Sequence, residues 1–569
     1  MFSRWFGAHA LAHATNSPGD ASSLVDTEAD AGAPPTSAHW PSGELPHLTC
    51  AQAQGVMAVA RAKLPYKPHA VTAQEFSDEL GLWVDPTGAW KEERAIQDSL
   101  LPTARLLLAA LTRDDAACAH ALPLARALAN YVNAQRANTL DTEGITHELG
   151  PRRAQLLAAF PDEAPALAEH LNRVLFPKHE PQEWDEIVIA AALRALVRLQ
   201  DSHSEWAPPD EETEATGQRL YKSGPAPLWD QVTSAPLGVT VLRSSRQELR
   251  EGDEIIWVQT ARKPRLYLVG LSPEQCEQVA VTAGDEDDGI AVRIWRAQTS
   301  RFETLALAAA PAAMLAPRLQ TDRLQTDVGL VPVLHIPEMY DELSEDVHEW
   351  LRANSDARGA PFAVLDLRGN GGGAVEPTLD LLGLWLGDKP ALVWTNAVSG
   401  GAFQAEAAPP STERWPIPVV VAVDAQTASA AEMLAGALQS YGYARVVGER
   451  SYGKGCMQET LELAPGTPGT LALTTALYAL PNGRAVQRAG IEPDAFYTFT
   501  PKGEFPQREE QSKHVAPRWA TRDIRPAHAA HAWSTRTPVH SIDVCSDAAL
   551  CDAVRVALKL RRQRPQTPH

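Results

Sequence analysis

Three shortages narrow what this 569-residue chain can be. Its six cysteines, at 50, 118, 276, 456, 545 and 551, show no C-x-x-C pair and no zinc-ligand spacing. They read as isolated buried thiols, with a local Cys545–Cys551 pair as the alternative. No stretch approaches the ~18 apolar residues of a membrane-spanning helix. Basic charge is also short: 51 Lys and Arg stand against 71 Asp and Glu, a net charge of -20. Nucleic acid needs a basic face, so that class of partner is excluded. The start lacks a clean export signal, because two histidines interrupt the apolar run that follows Arg4 and precedes Ala12-His13-Ala14.

What is present is globular: 44% hydrophobic and 21% charged residues, long enough for two to four domains. Residues 1–45 are rich in Ala, Ser, Pro, Thr and Asp without periodicity, a disordered lead. Residues 46–206 carry apolar residues at three- and four-residue spacing and read as a helical domain, which stops at Gln200-Asp201-Ser202-His203-Ser204-Glu205-Trp206 before Pro208-Pro209. Residues 225–311 switch to period two around turns such as Glu251-Gly252-Asp253, a β-rich module. Strands alternate with helices over 312–500, and 501–569 is a polar tail with one helix. The predicted class is α/β in a multi-domain α+β chain.

The most informative stretch is 416–458. It predicts a buried strand over 417–423, a helix over 428–441, a strand over 444–447 and then Gly453-Lys454-Gly455. Ser429 stands where strand gives way to helix, among free backbone N–H groups. A serine there is commonly only an N-cap, and a lone lysine is commonly a solvated one. Together they are the parts of a Ser–Lys nucleophilic site. Such a lysine must be neutral, which burial favours and Glu449 would oppose; Gln458 could bond the amine without adding charge. Glycines 369 and 371–373 could form a backbone anion hole, with the Ala430 N–H as its second donor. Two nucleotide patterns fail. Gly369 to Ala374 lacks the acidic partner ~20 residues on, and Gly448 to Lys454 is followed by Gly455 instead of Ser or Thr.

AVLDLRGNGGG, VAVDAQTASAAEMLAGALQSYGYARVVGERSYGKGCMQ and TTALYALPNGRAVQRAGIEPD resemble the S41 peptidases, the C-terminal processing or tail-specific proteases. QDSHSEW resembles the stretch that family carries ahead of its PDZ domain. The resemblance implies a core of mixed sheet and helices, preceded by a PDZ-like module. It implies Ser429 as nucleophile, Lys454 as general base, Gln458 as the residue orienting it, and amides of Gly373 and Ala430 as oxyanion donors, with Gly372 beside the substrate. Family members commonly carry Asp where this chain has Ser440 and Arg where it has Tyr443. In the PDZ-like module, Pro236-Leu237-Gly238-Val239 is the nearest candidate for a loop binding a substrate's C-terminal carboxylate, with Leu237 and Gly238 as contacts. The implied protein is a serine endopeptidase acting on polypeptides, without metal or cofactor, not integral to a membrane, and periplasmic or otherwise extracytoplasmic. The alternatives are a peptide-holding scaffold of the same fold without turnover and a crotonase-like acyl-CoA enzyme, which would leave the Ser–Lys pair without a task.

Overall fold

Helical periodicity in the first part of the chain gives α1 (Cys50–Lys63), α2 (Ala73–Val84), α3 (Arg94–Thr112), α4 (Pro123–Arg136) and α5 (Pro181–Gln200). The computed structural model describes 47–84, 93–112, 121–136, 178–209, 231–235, 237–244, 248–260, 265–269, 290–307, 319–396, 404–407, 413–499, 508–517, 539–544 and 546–559, with scattered single residues besides. All of them belong to one unit, Ala38–His569. The expected lead over 1–45 and the export signal lie outside the described residues, apart from Leu45. The helices bury Val56, Phe76, Leu80, Leu107, Leu128 and Leu193 in one core that also takes in Trp206, Leu471 and Leu473. The helical segment therefore shares its core with the sheet that follows.

That sheet begins at once. β1 (Glu205–Ala207) pairs antiparallel with β16 (Thr470–Ala479), and β16 also pairs with β15 (Cys456–Leu461) and β11 (Pro390–Asn396), which holds β12 (Gln404–Ala407) at the edge. A separate six-stranded antiparallel sheet occupies the period-two region. Its order is β2 (Gln231–Ala235), β3 (Gly238–Arg243), β4 (Glu254–Gln259), β6 (Ile290–Arg296), β7 (Arg301–Leu307), with β5 (Leu266–Tyr267) against β4.

The third sheet is central. Short runs buried on both faces make parallel strands covered by helices: β9 (Gly329–His335), β10 (Ala363–Asp366), β13 (Val419–Val423), β14 (Ala444–Gly448) and β17 (Ala495–Phe496). β8 (Gln320–Thr326) and β18 (Ile542–Val544) extend it antiparallel. Helices α6 (Leu343–Ala353), α7 (Val375–Leu386) and α8 (Ala430–Ser440) belong to this region, and α9 (Ala548–Lys559) buries Leu550, Ala553 and Val554 against Val331, Val364, Val420 and Val447. The chain is thus a mixed helix-and-sheet protein, as predicted. The helix of the tail closes one face of the central sheet. One expectation needs correction. Cys551 is disulfide-bonded and so is not an isolated thiol; its partner lies outside the described residues. Cys50, Cys276 and Cys456 are buried and form no disulfide among the described residues.

Candidate active site

Parallel neighbours send their carboxyl ends to the same edge of a sheet, where open α/β folds place ligands. β10, β13 and β14 are such neighbours. The loops leaving them, 367–374, 424–429 and 449–455, carry the glycines, Ser429 and Lys454. Hydrogen bonds fix these loops to one another. The Ala428 N–H donates to Asn370 O at 2.9 Å, the Thr427 hydroxyl to Leu367 O at 2.9 Å, and the Tyr452 N–H to Thr427 O at 2.9 Å.

Ser429 precedes α8 with φ +54° and ψ -122°, a left-handed backbone that costs a non-glycine residue of order 1–3 kcal/mol and is held only by its surroundings. Glu432 supplies that hold. Its carboxylate, fully buried, accepts from the N–H groups of Ser429 (2.9 Å), Gly453 (2.8 Å) and Lys454 (2.9 Å) and from the Ser451 hydroxyl. One side chain therefore ties the serine turn to the lysine loop. Burial pushes this carboxyl up to about 8, against the pull of all four donors. From the opposite side the Tyr478 hydroxyl donates to Ser429 O (3.0 Å) and Lys454 O (2.8 Å).

The amides around Ser429 are used selectively. The Gly372 N–H donates to Asn370 Oδ1 at 2.8 Å and the Ala374 N–H to Met339 O at 2.6 Å, while the Ala431 N–H reaches Ala428 O at 3.1 Å. Among the described residues, the N–H groups of Gly373 and Ala430 donate to nothing. Gly372 has to be glycine. A Cβ there would lie 2.7 Å from Ser429 Cβ and 3.2 Å from Ala430 N, inside the cradle.

The expected site residues do not all meet. Ser429, Gly372, Gly373, Ala430 and the Lys454 backbone converge, but no hydrogen bond joins the Ser429 hydroxyl to the Lys454 amine among the described residues. Gln458 donates its amide to Thr474 Oγ1 (2.9 Å) and Cys456 Sγ (3.2 Å), not to Lys454. The charge of Lys454 acts on the Cys456 thiol, which burial nonetheless pushes up to about 12. Glu449 is buried within electrostatic reach of Arg508. In the antiparallel module the Leu237 N–H donates to Glu254 Oε1 at 2.6 Å, and Gly238 packs so tightly that a Cβ would meet Ile255 O at 2.0 Å. Pro236 lies outside the described residues. Sequence reasoning missed Glu432, although Ser429-x-x-Glu432 is a capping-box spacing that announces it. Tyr478 and Glu254 carry no such signal.

Comparison with known proteins follows the same residues. Residues 331–496 match Peptidase family S41. A carboxyl-terminal-processing protease of Picosynechococcus is 40% identical over 148 residues, 26% of this chain and 34% of that protein. Its namesake in Synechocystis is 33% identical over 181 residues, 32% of this chain and 40% of that protein. The chain thus spans well under half the length of these curated relatives. A solved photosystem II D1 C-terminal processing protease aligns at 20% identity and a TM-score of 0.39, covering 61% of this chain and 94% of the other. The family match falls on the three loops that converge at Ser429, so this region of the chain is similar to Peptidase family S41.

Proposed function

We propose that the protein is a serine endopeptidase. Ser429 Oγ attacks the scissile carbonyl while the Lys454 amine accepts its proton; the oxyanion is held by the N–H groups of Gly373 and Ala430. Lys454 then protonates the leaving amine, and water resolves the acyl-enzyme. The observation that carries this reading is the pair of undonated amides beside a strained serine whose turn is cross-linked to the lysine loop. Such donors, fixed before charge develops, need no reorganisation during reaction. Gln458 acts in this scheme once its amide leaves Thr474 for the Lys454 amine.

The substrate is a polypeptide. The names of the relatives favour a processing role, and the disulfide at Cys551 favours a compartment outside the reducing cytoplasm. No described helix is long and apolar enough to cross a membrane. The decisive measurement incubates a denatured test protein with wild type and with Ser429→Ala. Fragments are expected from the first alone, with a drop of at least about 10³-fold in the second. Equal cleavage by both proteins rejects the assignment, and labelling of Ser429 by a serine-reactive acylating probe distinguishes a slow enzyme from a scaffold without turnover.

A further inference from the structure

Behind the Lys454 loop lies a second cluster that the proposed reaction does not use. His203 follows α5, Cys456 opens β15, and Glu509 starts the short 3-10 turn Glu509–Gln511. Their ligating atoms all lie within 4.8 Å of one another. Glu509 and Cys456 are buried, and His203 Nε2 stands 2.8 Å from Glu509 Oε2. An outer layer is already in place. Buried Gln487 donates to Glu509 Oε1 at 2.6 Å and accepts from the Gly455 N–H at 2.7 Å, orienting the carboxylate and tying it to the lysine loop.

A second observation points into the same place. Asp201 is fully buried; its Oδ2 accepts from the Ser204 hydroxyl, and its carboxylate lies beside the buried Tyr66 hydroxyl. Asp201 and Glu509 both act electrostatically on Tyr66 and on Cys456. Two carboxylates buried in one cluster are expensive without positive charge. The nearby guanidinium groups of Arg194 and Arg198 are taken by Glu205.

We propose that His203, Cys456 and Glu509 form a binding site for a thiophilic divalent cation such as zinc, with a water as the fourth ligand. Imidazole, thiolate and carboxylate are a zinc donor set, and a thiolate disfavours magnesium or calcium. Bonds of about 2.0–2.3 Å to a tetrahedral ion set ligand atoms roughly 3.3–3.8 Å apart, so closure asks side-chain shifts of about 1 Å. The ligands come from segments 253 and 53 residues apart in sequence, which is why no short spacing revealed them. A bound ion would clamp the end of α5, the start of β15 and the 508–517 segment behind Lys454. The site stands on these side chains whether or not Ser429 and Lys454 cleave peptides.

The test uses the full chain, stripped with a chelator and titrated with Co(II) and then Zn(II). Expected is one equivalent of Co(II) with a thiolate-to-metal band in the near ultraviolet, displaced by Zn(II), and a zinc-dependent rise in Tm. Cys456→Ser should lose the band and bind at least about tenfold more weakly, as should His203→Ala, whereas Cys276→Ser should bind like wild type. Absence of a thiolate band in wild type, or binding unchanged in Cys456→Ser, overturns the proposal and leaves a hydrated His203–Glu509 pair. Should the variants fail to fold, X-ray absorption on wild type decides: one sulfur among nitrogen and oxygen neighbours supports the site, and a shell without sulfur overturns it.

Discussion

Two loops in this chain offer backbone N–H groups to an anion, and they stand in opposite states. At Gly373 and Ala430 the flanking amides are consumed by Asn370, Met339 and Ala428, so the two between them stay open. At Leu237 the amide is already bonded to Glu254, a carboxylate buried in the same sheet. The outer side of β3 is also filled, because β2 pairs along it from Ala235↔Gly238 to Gln231↔Arg243. An open pair of donors suits a charge that appears only during reaction. A donor that holds an internal carboxylate is already satisfied and charge-assisted, and an incoming carboxylate would have to displace it. Under the proposed function, chemistry and capture of a free C-terminus are therefore separable.

The contrast breaks most completely by closing the open cradle. Gly372→Ala sets a methyl 2.7 Å from Ser429 Cβ at a residue whose φ is +107°. Loss of one oxyanion donor alone lowers kcat about 10²–10³-fold, and a loss at least that large is expected here with KM changed far less. Retained kcat in a folded Gly372→Ala protein, verified by its circular dichroism, would mean that the two amides do not serve the reaction.

Glu432 offers the next largest effect, read in stability. Its folded carboxyl titrates at about 8 against an ordinary 4.5, so over that window the folded state binds more protons than the unfolded one. Stability is then greatest below about 4.5 and falls as pH rises through 8. Ser451 donates its hydroxyl to this carboxyl and accepts the Ile491 N–H at 2.6 Å, which ties the group into the surrounding loops. Glu432→Gln should be less stable near pH 5, since a side-chain amide cannot accept all the donors, and its denaturation midpoint should lose that fall between pH 5 and 8. An identical pH profile in the two proteins would rule out this carboxyl as its source.

How much of this was legible depended on sequence distance. The valine-rich run of β13, the serine at its exit and the lysine after β14 lie within 40 residues, so local periodicity and turn chemistry were enough to place them. Gln458 shows where such reasoning stops. Lys454 lies in the loop before β15, so strand alternation does not relate it to Gln458, and the register shift between Met457 and Gln458 accompanies an amide bonded to Thr474. Tyr478 and Glu254 were invisible because each acts on a backbone group, which no residue pattern records. The helical segment looked like a separate domain since nothing in its own periodicity reveals that Leu471 and Leu473 complete its core.

Tyr478 sharpens the comparison by asking how rigid the open cradle is. Its hydroxyl donates to the carbonyls of Ser429 and Lys454, tying the two backbones together. Tyr478→Phe leaves both oxygens without that donor in a buried place, which costs about 1–3 kcal/mol of stability. A fall in kcat of about tenfold with unchanged KM is expected if the bond positions the pair. Lost stability with unchanged kcat would make the tyrosine merely structural.

The smallest effect tests the filled loop. With Glu254 on the Leu237 amide, wild type should bind a peptide ending in a free carboxylate and the same peptide ending in an amide with affinities within about threefold, under 0.7 kcal/mol. Glu254→Gln removes the internal charge while keeping an acceptor near Leu237, so repulsion of an arriving carboxylate falls and preference for the free acid should rise several-fold. Fluorescence anisotropy with the two labelled peptides on Ser429→Ala protein, which cannot consume them, reads this directly. A strong free-acid preference already present before the Glu254 change would mean that an incoming C-terminus displaces the internal carboxylate easily, and the two loops would then be equally open to anions.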